Sequence, residues 1–461
     1  MIRNNICLVF RNDSIGDSVF SGYSEMMRFV RRIQISRGKS SVFSAYNAGS
    51  MTVEFTNNLR EAGPERNYWP PAGSQYPFFY EDTPQDFTKF RHAVYLTTLN
   101  LDASIQPADA DKEDPNQRGR LSVTGVGPYG FGSSTGFTEV IFGGISEDWE
   151  FNFELEGDNT ATMTAYDPLS YLRYVDSPFP YQQTINLPSQ RAMYFPMESI
   201  GEFNNFNKPN YYGQESQSTI LAFGPDKFAN RSDMLNAIAE AEQGDLFASR
   251  FGQMRFLTRY ERSEYVYVSG LNNFEYPAAQ VHEFGEDGIP FFELAVDYSS
   301  ELIYNKITLQ NTNSTVATAS DGFSELKYGK KELQLTDLLA SDSDLSEIST
   351  FLLNKYYEKK FRVTSISVNL TKYDQESGLS PIQRQLLTAD LGDHCVVNFN
   401  TPTISQSGPE NLVAFVGQII GIDHDITPES HIVRFTLDDK RHSQFILDDK
   451  IFGRLDENVL N

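Results

Sequence analysis

Apolar and polar residues alternate with period two in several short stretches of the chain. Residues 51–56 read Met-Thr-Val-Glu-Phe-Thr, residues 160–166 read Thr-Ala-Thr-Met-Thr-Ala-Tyr, and residues 363–371 read Val-Thr-Ser-Ile-Ser-Val-Asn-Leu-Thr. Successive side chains of a strand point to opposite faces, so each stretch predicts a strand with one buried face. Further strands are expected at 30–35, 138–151, 253–260, 302–309, 395–399, 412–424 and 431–437, from apolar runs rich in β-branched and aromatic residues. Only two segments carry a strong helical period. Residues 231–242 place Met234, Leu235, Ile238 and Ala241 on one stripe, with Ser232 as the expected N-cap and Gly244 as the stop. Residues 344–360 place Leu345, Ile348, Phe351, Leu352 and Tyr356 on another. There Glu347 follows Asp344 by three residues as in a capping box, and Lys355, Lys359 and Lys360 suit the C-terminal dipole. So many strands with so few helices predict a mainly β protein with α+β modules, built as barrels or sandwiches and not as a parallel α/β sheet.

Two stretches break the pattern. Residues 59–136 hold eight prolines (Pro64, Pro70, Pro71, Pro77, Pro84, Pro107, Pro115 and Pro128) among many Gly and Asp, and read as a long, loop-rich, partly ordered insertion. Residues 176–224 are rich in Asn, Tyr and Pro. A chain of 461 residues holds roughly three domains at about 150 residues each. Boundaries near 175, 295 and 340 follow from the composition. The resulting division is an N-terminal arm at 1–25, a first β domain at 26–175 carrying the insertion, a middle α+β domain at 176–295 and a C-terminal β domain at 296–461.

Composition narrows the function classes. A hydrophobic fraction of 39% with 22% charged residues suits a folded protein with real cores. The net charge of −24 gives an average surface field that repels phosphate, which argues against a dedicated nucleic-acid binder. Two cysteines, Cys7 and Cys395, are too few for a disulfide framework or a cysteine-based zinc site. The apolar run at 6–10 is too short for a signal peptide, and no stretch approaches the roughly 18 apolar residues of a membrane helix. Synthesis in a cytoplasm without secretory export is the expectation.

Candidate chemistry is sparse. Gly125-Val126-Gly127-Pro128-Tyr129-Gly130 matches G-x-G-x-x-G, but a strand pattern follows it where a dinucleotide site needs a helix N-terminus. Gly132-Ser133-Ser134-Thr135-Gly136 matches G-x-S-x-G without the strand-to-helix turn that exposes a nucleophile. Both read as loops. Asp109-Ala110-Asp111-Lys112-Glu113-Asp114 lacks the glycine and the terminal Glu of a calcium loop and reads as a solvated acidic segment. Asp423-His424-Asp425 ends an apolar strand and reads as a structural polar cluster, and His92, His282, His394, His431 and His442 are scattered. No pair of carboxylates is singled out for glycosidic cleavage. The clusters Trp69-Pro70-Pro71 and Pro77-Phe78-Phe79-Tyr80 suit loop packing, sugar stacking or docking equally well. No catalytic, cofactor-binding or metal residue is assigned, no cofactor is expected, and the chain is not expected to be an enzyme.

The linear order of segments carries more information. Arg28-Phe29-Val30-Arg31-Arg32-Ile33-Gln34-Ile35-Ser36-Arg37-Gly38-Lys39 precedes Asn47-Ala48-Gly49-Ser50-Met51-Thr52-Val53-Glu54-Phe55-Thr56-Asn57. Then come Phe142-Gly143-Gly144-Ile145-Ser146-Glu147-Asp148-Trp149 and Ala161-Thr162-Met163-Thr164-Ala165-Tyr166-Asp167-Pro168-Leu169. A helix-hairpin unit follows at 235–260, with Ala239-Glu240-Ala241-Glu242-Gln243-Gly244-Asp245-Leu246-Phe247 and Phe251-Gly252-Gln253-Met254-Arg255-Phe256. Asn305-Lys306-Ile307-Thr308-Leu309, Tyr328-Gly329-Lys330-Lys331, Gly392-Asp393-His394-Cys395-Val396-Val397 and the run from Val416 to Pro428 complete the series. This order resembles the hub-type minor tail proteins of tailed bacteriophages, the tail-tip or baseplate hub family, over most of 26–175 and 230–440. The segments 59–136 and 176–224 have no counterpart in that pattern.

The resemblance implies tail-tube-like β-barrel domains, a smaller helix-hairpin domain and the loop-rich insertion. In function it implies a structural virion protein at the tail tip: a homotrimeric hub that closes the distal tail tube and forms part of the genome-delivery channel. Its partners would be distal tail or tail-tube proteins, the tape measure protein, and receptor-binding, tail fibre or spike proteins, with DNA passing through unbound. An acidic wall is compatible with that passage. The alternative is an all-β carbohydrate-binding or depolymerising tail protein acting on host surface polysaccharide, motivated by the aromatic cluster at 69–80.

Overall fold

A computed structural model describes residues 6–11, 20–23, 30–40, 46–56, 92–99, 120–123, 137–152, 160–174, 187–189, 192, 210–212, 218–222, 227–252, 254–259, 281–285, 288–298, 300–311, 313–360, 362–373, 380–400 and 412–439. The protein is mainly β. In chain order the N-terminal elements are β1 (Ile6–Arg11), β2 (Phe20–Tyr23), β3 (Val30–Gly38), β4 (Asn47–Thr56), β5 (His92–Leu99), β6 (Arg120–Val123), β7 (Phe137–Asn152) and β8 (Thr160–Tyr166), then α1 (Pro168–Tyr171). The central elements are β9 (Leu187–Pro188), β10 (Asn210–Tyr212), β11 (Thr219–Ile220), α2 (Arg231–Glu242), β12 (Asp245–Ala248), β13 (Met254–Leu257), β14 (Val281–Gly285) and β15 (Glu293–Asp297). The rest are β16 (Lys306–Asn311), β17 (Val316–Ser320), α3 (Gly322–Tyr328), β18 (Glu332–Asp337), α4 (Asp342–Tyr356), β19 (Arg362–Asn369), α5 (Pro381–Leu387), β20 (His394–Asn400), β21 (Leu412–Ile426) and β22 (His431–Asp439).

Among the described residues fourteen strands form one sheet, ordered β15-β19-β22-β21-β3-β4-β8-β7-β5-β1-β2-β6, with β20 also on β21 and β14 parallel to β20. The pairings along that path are antiparallel. The alternation read from the sequence is what buries its inner face. On β4, Met51, Val53 and Phe55 point inward, opposite Ala165, Met163 and Ala161 of β8, so large side chains meet small ones across the pair. Phe55 also stacks on Trp149 at 6.0 Å.

The seam between the N-terminal and C-terminal halves of this sheet is β3 against β21, strands nearly four hundred residues apart in sequence. Gly38 closes β3 with φ +96, and a Cβ there would lie 2.2 Å from the Ile420 carbonyl oxygen, so only glycine lets the strands approach this closely. The adjacent amide of Lys39 donates to that same carbonyl at 2.8 Å. Beyond the seam β21 runs on, pairing with β20 over Leu412–Gln418.

A second core holds α2, the β12-β13 hairpin, the small sheet β17-β16-β18 and α4. Of the stripes the helical period predicts, Met234, Leu235, Ile238 and Ala241 from α2 and Leu345, Ile348, Leu352 and Tyr356 from α4 are buried, while Phe351 is half-buried against the same core.

Several local expectations need correction. The cap of α2 is Asn230, whose side chain accepts from the Asp233 amide at 2.9 Å, and Ser232 already lies inside the helix. Gln243, at φ 54, ends it just before Gly244. The helix expected at 344–360 spans Asp342–Tyr356 and is capped by Ser341. Asp344 instead accepts from the Thr219 amide, and Glu347 reaches Arg259. The strand expected at 302–309 starts at Lys306, because Asn305 spends its side chain on the Lys331 amide and the Gly329 carbonyl. The strand expected at 253–260 shortens to Met254–Leu257, and the one expected at 363–371 turns at Asn369, whose side chain accepts from the Thr371 amide. Strands β1 and β2 lie in the segment read as an arm, and β5 and β6 lie in the stretch read as loop-rich.

Candidate assembly surface and the buried charge junction

The G-x-G-x-x-G and G-x-S-x-G segments, the acidic run at 109–114 and the aromatic clusters at 69–80 lie outside the described residues, as does His442. The Asp423-His424-Asp425 cluster falls on β21, where alternation separates its members. His424 turns inward, and its Nδ1 lies 3.0 Å from His431 Nε2 on β22, so one ring donates and the other accepts. Burial, with the neighbouring His431 and Arg37, holds His424 well below the usual imidazole range, and burial lowers His431 to about 3. Both rings are therefore neutral at pH 7. Asp425 turns outward and takes a two-pronged contact from Arg32 of β3 at 2.7 and 2.8 Å. His282 Nε2 faces Asp393 Oδ2 at 3.2 Å, and His394 is buried in β20. Of His92 only the backbone, in β5, is described. Among the described residues no three His, Cys, Asp or Glu side chains converge as metal ligands. Cys395 is buried as a free thiol.

What sequence reasoning missed is a set of buried charges between the large sheet and the helical module. Asp390, in the loop between α5 and β20, receives Arg37 Nη2 at 2.5 Å and the Arg250 amide at 3.1 Å, with Arg255 at 3.9 Å. Burial alone would raise this carboxyl's pKa. The Arg37, Arg255 and Arg250 charges and the Arg37 hydrogen bond outweigh it and hold Asp390 below its ordinary value. Arg37 also donates to the Ala248 carbonyl, and Arg250 donates to the Val140 carbonyl. One carboxylate thus ties β3 to the segment around the β12-β13 hairpin, and Arg250 extends the tie to β7. Nearby, Lys39 pairs with Asp245 at 3.0 Å and lies over the Tyr46 ring. Deeper in the module Arg259 meets Glu242 at 2.6 Å and Glu347 at 3.0 Å. The sequence shows these charges only one residue at a time, on strands and loops that also carry other polar residues, and says nothing of pairing.

Outside this junction the surface itself is informative. Among the described residues the main path of the sheet ends at β15 and β6, which pair only with β19 and β2, and its β20 branch ends at β14. Around β15 the large apolar side chains of Phe292, Val296 and Tyr298 are exposed, with Lys359 Nζ 4.0 Å above the Tyr298 ring. A sheet end bearing apolar side chains is a template for pairing with another chain.

This architecture recurs in solved structures. The 43 kDa tail protein of prophage MuSo2 from Shewanella oneidensis superposes with a TM-score of 0.51 over 95% of this chain and 97% of that one, at 10% identity. A tail protein from Neisseria meningitidis MC58 superposes with a TM-score of 0.52 over 94% of this chain and 96% of that one, at 8% identity. The chain has the fold of these tail proteins. No protein-family model matches its sequence, and no curated protein does. No helix among the described residues is long and apolar enough to cross a membrane.

Proposed function

We propose that this chain is a structural protein of a phage tail, placed at the tail tip as a hub that closes the tube, anchors receptor-binding or spike proteins and lines part of the channel for DNA. The observation that carries this reading is the fold shared with tail proteins along 95% of the chain. In mechanism the protein works through interfaces and not by chemistry. Neighbouring copies add to the sheet at its end strands, β15 and β6, where backbone donors and acceptors set the register and apolar side chains add area. The buried junction around Asp390 keeps sheet and helical module in one fixed relation, so that a force applied at an edge is passed to the module and not absorbed by a hinge. A channel wall built from a chain of net charge −24 does not bind phosphates and lets DNA pass.

Light scattering over a dilution series tests the assembly. A closed ring of three 52.2 kDa chains has a mass of about 157 kDa. Antibody labelling of intact particles tests the position: label at the distal end of the tail is expected, and label along the shaft or on the capsid overturns the reading.

A further inference from the structure

Helix α3 presents two large apolar side chains to solvent. Phe323 and Leu326 are 86% and 87% exposed, and their three-residue spacing puts them on one face. The helix is nonetheless anchored, because Ser324 is buried and its hydroxyl donates to the Tyr357 carbonyl. A fixed helix with its apolar face outward calls for a cover. Two side chains offer far less than the roughly 800 Å² per partner that stable interfaces between separate chains bury. A segment tethered nearby acts at an effective concentration on the order of millimolar, and for it a small contact suffices.

The chain supplies such a segment. Strand β22 ends at Asp439, whose carboxylate lies 3.2 Å from Lys360 Nζ, and the preceding Asp438 meets Lys355 at 2.7 Å. Lys355 is in the last turn of α4, and Tyr357, which anchors α3, follows that helix directly. The last described residue, Asp439, therefore lies beside the helix end that holds α3, and residues 440–461 follow it in the chain. At 3.3–3.6 Å per residue, 440–447 can span about 26–29 Å. Their sequence groups Phe445, Ile446 and Leu447, followed by Ile451 and Phe452. Asp448, Asp449, Asp456 and Glu457 complement Lys327, Lys330 and Lys359 around α3.

We propose that residues 440–461 dock in cis on the Phe323 and Leu326 face of α3, with Phe445, Ile446 and Leu447 as the anchor. The proposal stands apart from the tail-hub reading and does not depend on it. The test uses the full chain with the photoreactive residue benzoylphenylalanine in place of Leu326. Irradiation is expected to join this position to a peptide from 440–461 within a single chain. In parallel, the exposed pair is changed by Phe323→Ser and Leu326→Ser, and trypsin cleavage at Lys450 and Arg454 is expected to speed up by about tenfold as the docked population falls. Attachment elsewhere in the chain, a product of twice the mass, no attachment, or unchanged cleavage would each overturn the proposal. Circular dichroism of the variant confirms that the fold is retained.

Discussion

The two ends of strand β3 carry the same chemistry in opposite settings. Near its start, Arg32 meets Asp425 across the seam with side chains 45% and 40% exposed. At its end, Arg37 meets Asp390 with side chains 2% and 9% exposed. Distance does not separate them, since both contacts lie between 2.5 and 2.8 Å. Solvent does. In water the charges of Arg32 and Asp425 are already stabilised, so their pairing adds little. In the junction, each charge has lost its water and depends on its partner, on the Ala248 carbonyl and on the Arg250 amide. An ion pair at the rim of a seam adjusts it, whereas one beneath the seam determines whether the two bodies fit.

Removing one member of the buried pair should show the largest effect. Asp390→Ala leaves the Arg37 guanidinium buried without its carboxylate, and a loss of about 3–5 kcal/mol is expected in denaturant unfolding. If the midpoint moves no more than for a surface substitution, the contrast between the two ends of β3 fails. Next comes Gly38→Ala, which combines a left-handed backbone with a contact against the Ile420 carbonyl. It should cost about 1–3 kcal/mol and lower the thermal midpoint, with the sheet halves separating first in hydrogen exchange at β3 and β21.

Acid sharpens the comparison. His431 titrates near 6.5 when unfolded but at about 3 in the fold, so the folded state favours the neutral ring. Its contribution is complete above pH 6.5 and is lost as pH falls toward 3, at about 1.4 kcal/mol per pH unit. His424 changes in the same direction. The two imidazoles should thus lower stability as pH falls from 7 to 4, against the opposite contribution of buried Asp167, whose carboxyl is raised to about 7, and His431→Gln should remove the His431 share of the slope. The smallest effect is expected at the rim: Arg32→Ala should cost about 0.2–1 kcal/mol, and the cost should shrink further in high salt. A larger loss there would mean that the seam is stabilised from outside.

Legibility followed locality. The period-two stretches at 51–56 and 160–166 and the helical stripe at 231–242 are strands and a helix as the pattern predicts, because a run of alternating or 3.6-spaced residues states its own buried face. Ser380-Pro381-Ile382-Gln383 carries a local signal of a different kind: Ser380 and Gln383 form a capping box that opens α5, and Pro381 stands at its first turn. That helix went unpredicted because seven residues show too little period. Strands β5 and β6 were hidden for a different reason, since the prolines and glycines around them dominate the composition of 59–136.

The β character and the faces of the main strands and helices were written locally, by neighbours within a few residues, and the resemblance to tail hubs lay in the linear order of such segments. The fold in three dimensions set the rest: that β3 pairs with β21, that Arg37 is satisfied by Asp390, and that His424 hydrogen-bonds to His431. Each joins residues whose chain separation carries no information about distance, and burial then turns an ordinary charge or imidazole into a group that depends on one particular partner.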